Sequence, residues 1–538
     1  MKEICAIQNQ AVEWSYVSGK AYKDPFNEIE LDVLVALPDG NQQRVPAFWA
    51  GDQEWRVRYA PPMSGKYLYR TVCSDEANRE LHSQEGTLLA TPYEGANPLL
   101  KHGPLRVSDN GRFLQHADGT PFFWLGDTWW HGLTKRFGWP EDVRALTADR
   151  VSKGFTVIQI VAGLLPELTP ERFWQEWSAN EGGWAWEEDF ARINPRFFDA
   201  ADCRISHLVQ SGLVPCVVGA WGYYLQFAGV RNLKKHWRYL VARYGAYPVV
   251  WCLAGEMTMP VYGSERAEQD RKELGVGWAE VGRYLKEVDP YAHPRTAHCN
   301  SFSSDSRAIL GKEGLLDIDL LQAGHTYQTI ERAVRFARDQ VAQAPRYPVL
   351  IGEACYEGEY GSNWQDVQRL LFWTSMLSGS CGHTYGANNI WQINSREQFF
   401  VGIRTYGDLP WDEAMSLPGS KHLGVSKRLL ERYPWWRFEP CHIPNWDESE
   451  RISPFMAGIP GQVWLIYLAG EAFDPKFWGL MGQKVRVEDD VTYRAFFFDP
   501  RDGRELDLGQ VELDQTGQWA IPQKPTREDM VLVLEKRG

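Results

Sequence analysis

Residues 28–36 and 54–59 alternate apolar and polar positions with period two, the pattern of strands that bury one face. Turn residues punctuate them at Pro38-Asp-Gly40, Pro61-Pro62 and Ser64-Gly65. Short strands at this spacing predict a β-sandwich of immunoglobulin type over residues 1–95. A Gly- and Pro-bearing connection at 93–104 follows, then a hairpin whose arms, 105–108 and 113–116, flank Asp109-Asn-Gly111. Asn-Gly favours tight hairpin turns. Strand-like runs return at 462–468, 492–498 and 530–535, and a second sandwich over 435–538 is the simplest reading.

Between these ends the texture changes. Short apolar runs alternate with helical stretches, which predicts βα units around a parallel sheet. Eight candidate strands fall at 122–125, 156–161, 214–218, 249–253, 295–298, 320–322, 349–351 and 382–385. Helical runs at 140–153, 232–244 and 278–288 stop at Gly154, Gly245 and Asp289-Pro290, ordinary helix ends. Eight units fit residues 105–430. The expected class is α/β, a (β/α)8 TIM barrel flanked by an N-terminal and a C-terminal β-sandwich domain.

Two barrel runs, Tyr247-Pro-Val-Val-Trp-Cys-Leu-Ala-Gly-Glu256 and Tyr347-Pro-Val-Leu-Ile-Gly-Glu353, both end on Gly-Glu. At roughly 30 residues per unit three units separate them, and both carboxylates face the C-terminal mouth of the barrel. Two carboxyls at one mouth are what cleavage of a glycosidic bond requires. One must be neutral near neutral pH to protonate the leaving oxygen, and the other ionised. Apolar Val249, Val250, Trp251 and Leu253 stand behind Glu256, and such surroundings favour the neutral acid. Glu256 is the expected acid/base and Glu353 the expected nucleophile. Glu357 and, behind it in rank, Glu359 are rivals of Glu353 on the same loop. The other strand ends supply Asp127, Gln159, Trp221, His298, His325 and His383. The plainer alternatives are a helix N-cap for Asp127, loop packing for Trp129 and Trp130, and core burial for the histidines.

Composition excludes several classes. A net charge of −13 makes nucleic acid a poor partner. No run of about 18 apolar residues occurs, so no membrane span is expected. The nine cysteines include no C-x-x-C pair, which argues against a zinc ribbon, and no metal or cofactor is expected. Cys216, Cys252, Cys299, Cys355 and Cys381 lie in or beside the strand runs, where a reduced thiol packs as a small hydrophobe. With a polar start at residues 1–10, this gives a cytoplasmic expectation. The 25 Trp and 23 Tyr offer apolar faces with polar tips, suited to sugar rings. Trp174, Trp177, Trp184 and Trp186, in an insertion at 170–189, either wall the cleft or pack as a surface loop.

The segments Leu125-Gly-Asp-Thr-Trp129, Gln322-Ala-Gly-His325, Gly352-Glu-Ala-Cys-Tyr-Glu357 and Gly382-His-Thr-Tyr-Gly-Ala-Asn-Asn-Ile-Trp391 resemble the apiosidase-like glycoside hydrolase family. Members often carry an N-terminal immunoglobulin-like domain and a C-terminal β domain of the type named collagen-binding. The resemblance implies a (β/α)8 barrel with carboxylates after strands four and seven. It also implies a sugar subsite lined by Asp127, Trp129, His325, His383 and Tyr385; Trp221, His298 and Glu357 complete the substrate-binding candidates. The chain departs from the pattern at Ala254-Gly255-Glu256, where the apiosidases resemble Gly-Gly-Asp. It departs again at Glu353-Ala-Cys-Tyr-Glu357, where Glu-Pro is usual. The first site also lacks the Asn-Glu pair common in the wider four-seven barrel superfamily.

Two other classes compete. A metal-dependent amidohydrolase would use His298 and His325, but the first strand offers Asp127-Thr-Trp-Trp-His131, without the closely spaced histidine pair that such a site wants. A non-catalytic carbohydrate- or collagen-binding protein would leave both carboxylates idle. A carbohydrate substrate and a retaining outcome are favoured, because strand ends four and seven face each other closely. Sugar, linkage and oligomeric state stay open, and a homo-oligomer is compatible with the sequence.

Overall fold

The computed structural model describes residues 2–166, 173–396, 409–441, 443, 455–473 and 484–537. Eight parallel strands form one sheet: Trp124–Trp129 (β1), Val157–Val161 (β2), Val214–Val218 (β3), Val250–Cys252 (β4), Arg295–Thr296 (β5), Asp319–Gln322 (β6), Val349–Glu353 (β7) and Gly382–Tyr385 (β8). Their order is β5-β4-β3-β2-β1-β8-β7-β6. The two ends of that order approach each other: Asp317 N–H donates to Arg295 O at 2.8 Å and Thr296 Oγ1 to Ile318 O at 2.8 Å. The sheet is therefore a nearly closed TIM barrel.

A helix follows every strand: Glu141–Ser152 (α1), Pro195–Gln210 (α2), Tyr224–Tyr244 (α3), Ala267–Val288 (α4), Asp305–Leu310 (α5), Ile330–Val341 (α6), Gln365–Leu377 (α7) and Pro418–Leu430 (α8). Helix α1 ends where expected, with Gly154 at φ 86°, a left-handed position that glycine fills without strain. Helix α4 begins well before the expected residue 278. Gly275 and Gly277 lie inside it, and a Cβ at Gly277 would overlap Leu225, so close helix packing retains the glycine. Strand β1 runs past the expected 122–125 to Trp129, which places Asp127 inside the strand rather than beyond its end.

Both flanks are β-rich. At the N-terminal side Leu31–Ala36 pairs with Gln42–Pro46 and Gly65–Cys73 in a five-stranded sheet, and Glu54–Tyr59 joins Val12–Val17 and Phe48–Gly51 in a three-stranded one. The hairpin around Asn110-Gly111 pairs Leu114 with Val107. At the C-terminal side Phe455–Ile459, Val463–Leu468, Met530–Lys536 and Tyr493–Phe498 lie in a six-stranded sheet.

Buried ions join these flanks to the barrel. Arg58 donates to Arg243 O at 2.9 Å and pairs with Asp202, which also holds Arg243 at 3.0 Å. On the other side, Arg369 of α7 pairs with Asp529 at 2.6 Å, and Trp373 stacks on Tyr467 with ring centroids 6.2 Å apart.

Candidate active site

At the C-terminal mouth a cavity of about 280 Å³ is lined by Trp221, Glu256, Gln322, His325, Glu353 and Glu359, with further walls from Trp130, Tyr262, Tyr356 and Trp391. At ~30 Å³ per water it holds about nine waters' worth of liquid, the scale of one sugar residue.

Glu256 stands just beyond β4 with φ 41°, a left-handed backbone that costs a non-glycine residue on the order of 1–3 kcal/mol and recurs at functional sites. Its surroundings hold it there. Met257 N–H donates to His298 O at 3.0 Å, which ties the turn to the next strand unit. Trp221 Nε1–H donates to Glu256 Oε2 at 3.1 Å, and Gln322 Nε2–H to Glu256 Oε1 at 3.0 Å. A Cβ at Gly255 would overlap the Trp221 indole, so the glycine before Glu256 lets that ring approach.

Glu353 is the last residue of β7. Gln322 Nε2 lies 3.3 Å from its Oε1, and His298 Nε2 lies 3.1 Å from its Oε2. The other nitrogen of His298, Nδ1, is 3.0 Å from the Cys299 carbonyl. A carbonyl accepts only, and so does an ionised carboxylate. This placement favours protons on both ring nitrogens: burial opposes the charge, but the Glu353 carboxylate prevails and raises His298 above the ordinary imidazole range.

This arrangement pushes the two carboxyls apart. Burial raises Glu256, and the charge of Glu353 raises it further. Burial also opposes ionisation of Glu353, but hydrogen bonding and charge from His298, with help from His325, outweigh it and hold Glu353 below the ordinary range. Burial works against a charged His325 as well. There Glu359, 3.5 Å from Nδ1, and the charge of Glu353 prevail and push it up to about 10.

The structure brings Trp221, Glu256, His325 and Glu353 to the cavity, with His298 directly behind Glu353. Asp127, Trp129, Glu357, His383 and Tyr385 are not among its lining residues, so the structure does not bring the expected sugar subsite together at this cavity. Asp127 is fully buried, accepting from Arg150 Nε of α1 at 2.6 Å and from Trp129 Nε1 at 2.8 Å. His383 packs on Phe372 of α7, and burial pushes it down to about 3. Tyr385 donates to Glu357 at 2.6 Å, and Glu357 also accepts from Gly419 N–H of α8 at 2.9 Å. The physical reason is the pleat. Leu125 and Asp127 pair in register with His383 and Tyr385, and this face of β1 and β8 looks outward to the helices.

The ranking of Glu357 above Glu359 is also reversed at the cavity: Glu359 lines it and Glu357 does not. Gln322, Tyr356 and Trp391 line it too, and sequence reasoning had given none of them a role. Gln322 ends a predicted strand, and all three lie within the segments that carry the family resemblance; these were the available signals. Of the Trp-rich insertion, residues 170–172 lie outside the described residues. Trp186 donates to His236 at 3.1 Å and Trp177 stacks on His131; neither they nor Trp174 and Trp184 line the cavity. Among the described residues no group of three or more His, Cys, Asp or Glu is arranged to hold a metal ion, and no helix is long and apolar enough to cross a membrane.

A barrel of this topology, with carboxylates at the mouth, is the frame of many glycoside hydrolases, and the comparisons agree. The apiosidase-like catalytic domain matches residues 108–437, and a domain of unknown function (DUF5060) matches residues 8–74. The chain belongs to the apiosidase-like family and is a glycoside hydrolase. No curated protein matches it. A solved glycoside hydrolase is 21% identical, with TM-score 0.66 over 82% of this chain and 98% of its own. A family 5 glycoside hydrolase from Bacteroides vulgatus is 20% identical, with TM-score 0.66 over 82% of this chain and 95% of its own. Another Bacteroides vulgatus structure aligns over 100% of both chains with TM-score 0.70 at 17% identity. These structures show the shared fold.

Proposed function

We propose that this glycoside hydrolase works by retaining double displacement, with Glu353 as nucleophile and Glu256 as acid/base. The observation that carries this reading is the shared contact with Gln322. One amide nitrogen within hydrogen-bond reach of both carboxylates, at 3.0 and 3.3 Å, holds one oxygen of each close to the other, which favours the ~5–5.5 Å spacing of retaining pairs over the ~6.5–9.5 Å of inverting ones.

In the first step a Glu353 oxygen attacks the anomeric carbon while protonated Glu256 gives its proton to the departing glycosidic oxygen, and a glycosyl ester forms on Glu353. In the second, Glu256 takes a proton from water as that water attacks the same carbon, and Glu353 departs as carboxylate. His298 stabilises the ionised nucleophile at the start and at the end.

The substrate is the end of an oligosaccharide or a small glycoside, because the cavity has the scale of one ring. Among the described residues no Arg or Lys lines it, which favours an uncharged sugar. The same reading assigns catalysis to a barrel unit at 105–430, with β-sandwich units at 1–95 and 435–538.

The test is a panel of 4-nitrophenyl glycosides that includes pentofuranosides, with product anomers followed by NMR. Wild type is expected to release nitrophenol with retention, and Glu353→Gln to lose turnover. Near-normal activity of that variant, or inversion at the anomeric carbon, would refute the assignment.

A further inference from the structure

The reacting carbon of a bound glycoside must lie between Glu256 and Glu353, and a side chain whose nitrogen touches both shares that space. Gln322 is that side chain. It is 1% exposed. Its backbone is fixed at the end of β6, where Phe302 N–H donates to Gln322 O at 2.9 Å. Its Nε2 carries two hydrogens and lies 3.0 Å from Glu256 Oε1 and 3.3 Å from Glu353 Oε1; His325 Nε2, 3.1 Å away, is itself a donor on the charged ring and accepts neither. Its Oε1 is buried without a hydrogen-bond partner. The amide thus offers an acceptor that the protein alone does not use, beside a donor that two carboxylates hold. A hydroxyl both donates and accepts, so it suits such an amide.

The hydroxyl nearest to hand is the one on the carbon beside the anomeric centre. Hydrogen bonds to that 2-hydroxyl strengthen as positive charge develops on the ring. Strand four cannot supply the contact, because the residue before Glu256 is Gly255, which has no side chain. Gln159 of β2 is engaged elsewhere, donating its Nε2–H to Gly352 O at 2.7 Å.

We propose that Gln322, from strand six, reads the substrate's 2-hydroxyl and so sets specificity for sugars that carry one. This rests on the Glu256/Glu353 reading above. On binding, the hydroxyl replaces Glu256 as the acceptor of one Nε2–H, while the other N–H stays on Glu353. Glu256 is thereby released toward the glycosidic oxygen.

The experiment compares the 4-nitrophenyl glycoside that wild type hydrolyses fastest with its 2-deoxy analogue, corrected for spontaneous hydrolysis. Gln322→Met keeps the side-chain volume and removes the amide. It is expected to lower kcat on the hydroxylated substrate by about 100-fold, the usual effect of losing one transition-state donor. The 2-deoxy substrate should lose less, because there only the contact with the two carboxylates is removed, so the preference between the two narrows. Gln322→Leu, which also removes donor and acceptor without adding a charge, should show the same narrowing and serves if the methionine variant does not fold. Equal losses on both substrates would mean that Gln322 only shapes the carboxylates, and would overturn the proposal. Failure of wild type to hydrolyse any glycoside is a different result, which removes the Glu256/Glu353 reading and this one with it.

Discussion

His298 has more influence on the site than its buried position suggests. Its Nδ1 lies against the Cys299 carbonyl and its Nε2 against Glu353, and the carboxylate raises it toward the charged form although burial opposes this. With that charge Glu353 stays ionised below the ordinary carboxylate range, and without it burial prevails. His298→Gln is therefore expected to move the acid limb of the kcat/KM profile upward in pH, as Glu353 takes up its proton more readily. The basic limb, where Glu256 loses its proton above the ordinary range, should move less. A pH–rate profile reads both, as macroscopic values of a coupled pair. Glu256→Gln should cost about 10²–10⁴-fold for poor leaving groups, the usual range for a lost general acid, and far less for dinitrophenolate, which needs no proton; a leaving-group series checks this. At this scale the sequence revealed the two Gly-Glu strand ends, because a β-prone run closing on a carboxylate is legible in one dimension. It did not reveal which face Asp127, His383 and Tyr385 occupy. Both faces of a parallel barrel strand are buried, so no alternation marks the inward one. Gln322 was hidden for another reason: nothing about an amide at a strand end tells that two distant acids will meet there.

Among the elements, the loop after β7 deserves comparison with the helix after β8. Tyr356 and Glu359 of that loop line the cavity, whereas Glu357 between them turns away to Gly419 at the start of α8 and to Tyr385 of β8. A Cβ at Gly419 would overlap the Glu357 carboxyl, which accounts for glycine there. Burial pushes Glu357 up to about 7, although Tyr385 and Gly419 oppose the rise. The folded form therefore holds its proton more tightly than the unfolded chain, and stability from this group is greatest at low pH. Between about pH 4.5 and 7 stability falls as pH rises, by on the order of 3 kcal/mol in full. Glu357→Gln keeps the shape and removes the titration. Its melting temperature should lose that part of the pH dependence between pH 5 and 8, as measured by scanning calorimetry, with the larger gain over wild type at pH 8. Element types were readable from texture, since strand-length apolar runs alternate with helices stopped by Gly154 and Gly245. Element limits were not. Gly275 and Gly277 made the first half of α4 look broken because the close approach of Leu225 is invisible in sequence.

For the whole molecule, the flanking β regions bear on the barrel through ions rather than grease alone. Arg369 and Asp529 are 1% and 3% exposed. Removing one partner of such a pair strands the other charge in a poor solvent and typically costs about 3–5 kcal/mol. Asp529→Ala is expected to lower the first thermal transition and to speed proteolysis near the seam between α7 and the C-terminal sheet; an unchanged melting curve would contradict this. The β texture of both flanks was legible, but these cross-links were not, because nothing in a sequence pairs residue 369 with residue 529. Helix α7 follows the strand that delivers Glu353, so the same guanidinium stands a single secondary-structure step from the chemistry. A barrel made without its C-terminal sheet would leave the Arg369 guanidinium with no carboxylate from residue 529, beside the ring of His422 at 3.0 Å. The heritable unit is the two together, and a search for a minimal working enzyme should begin from both.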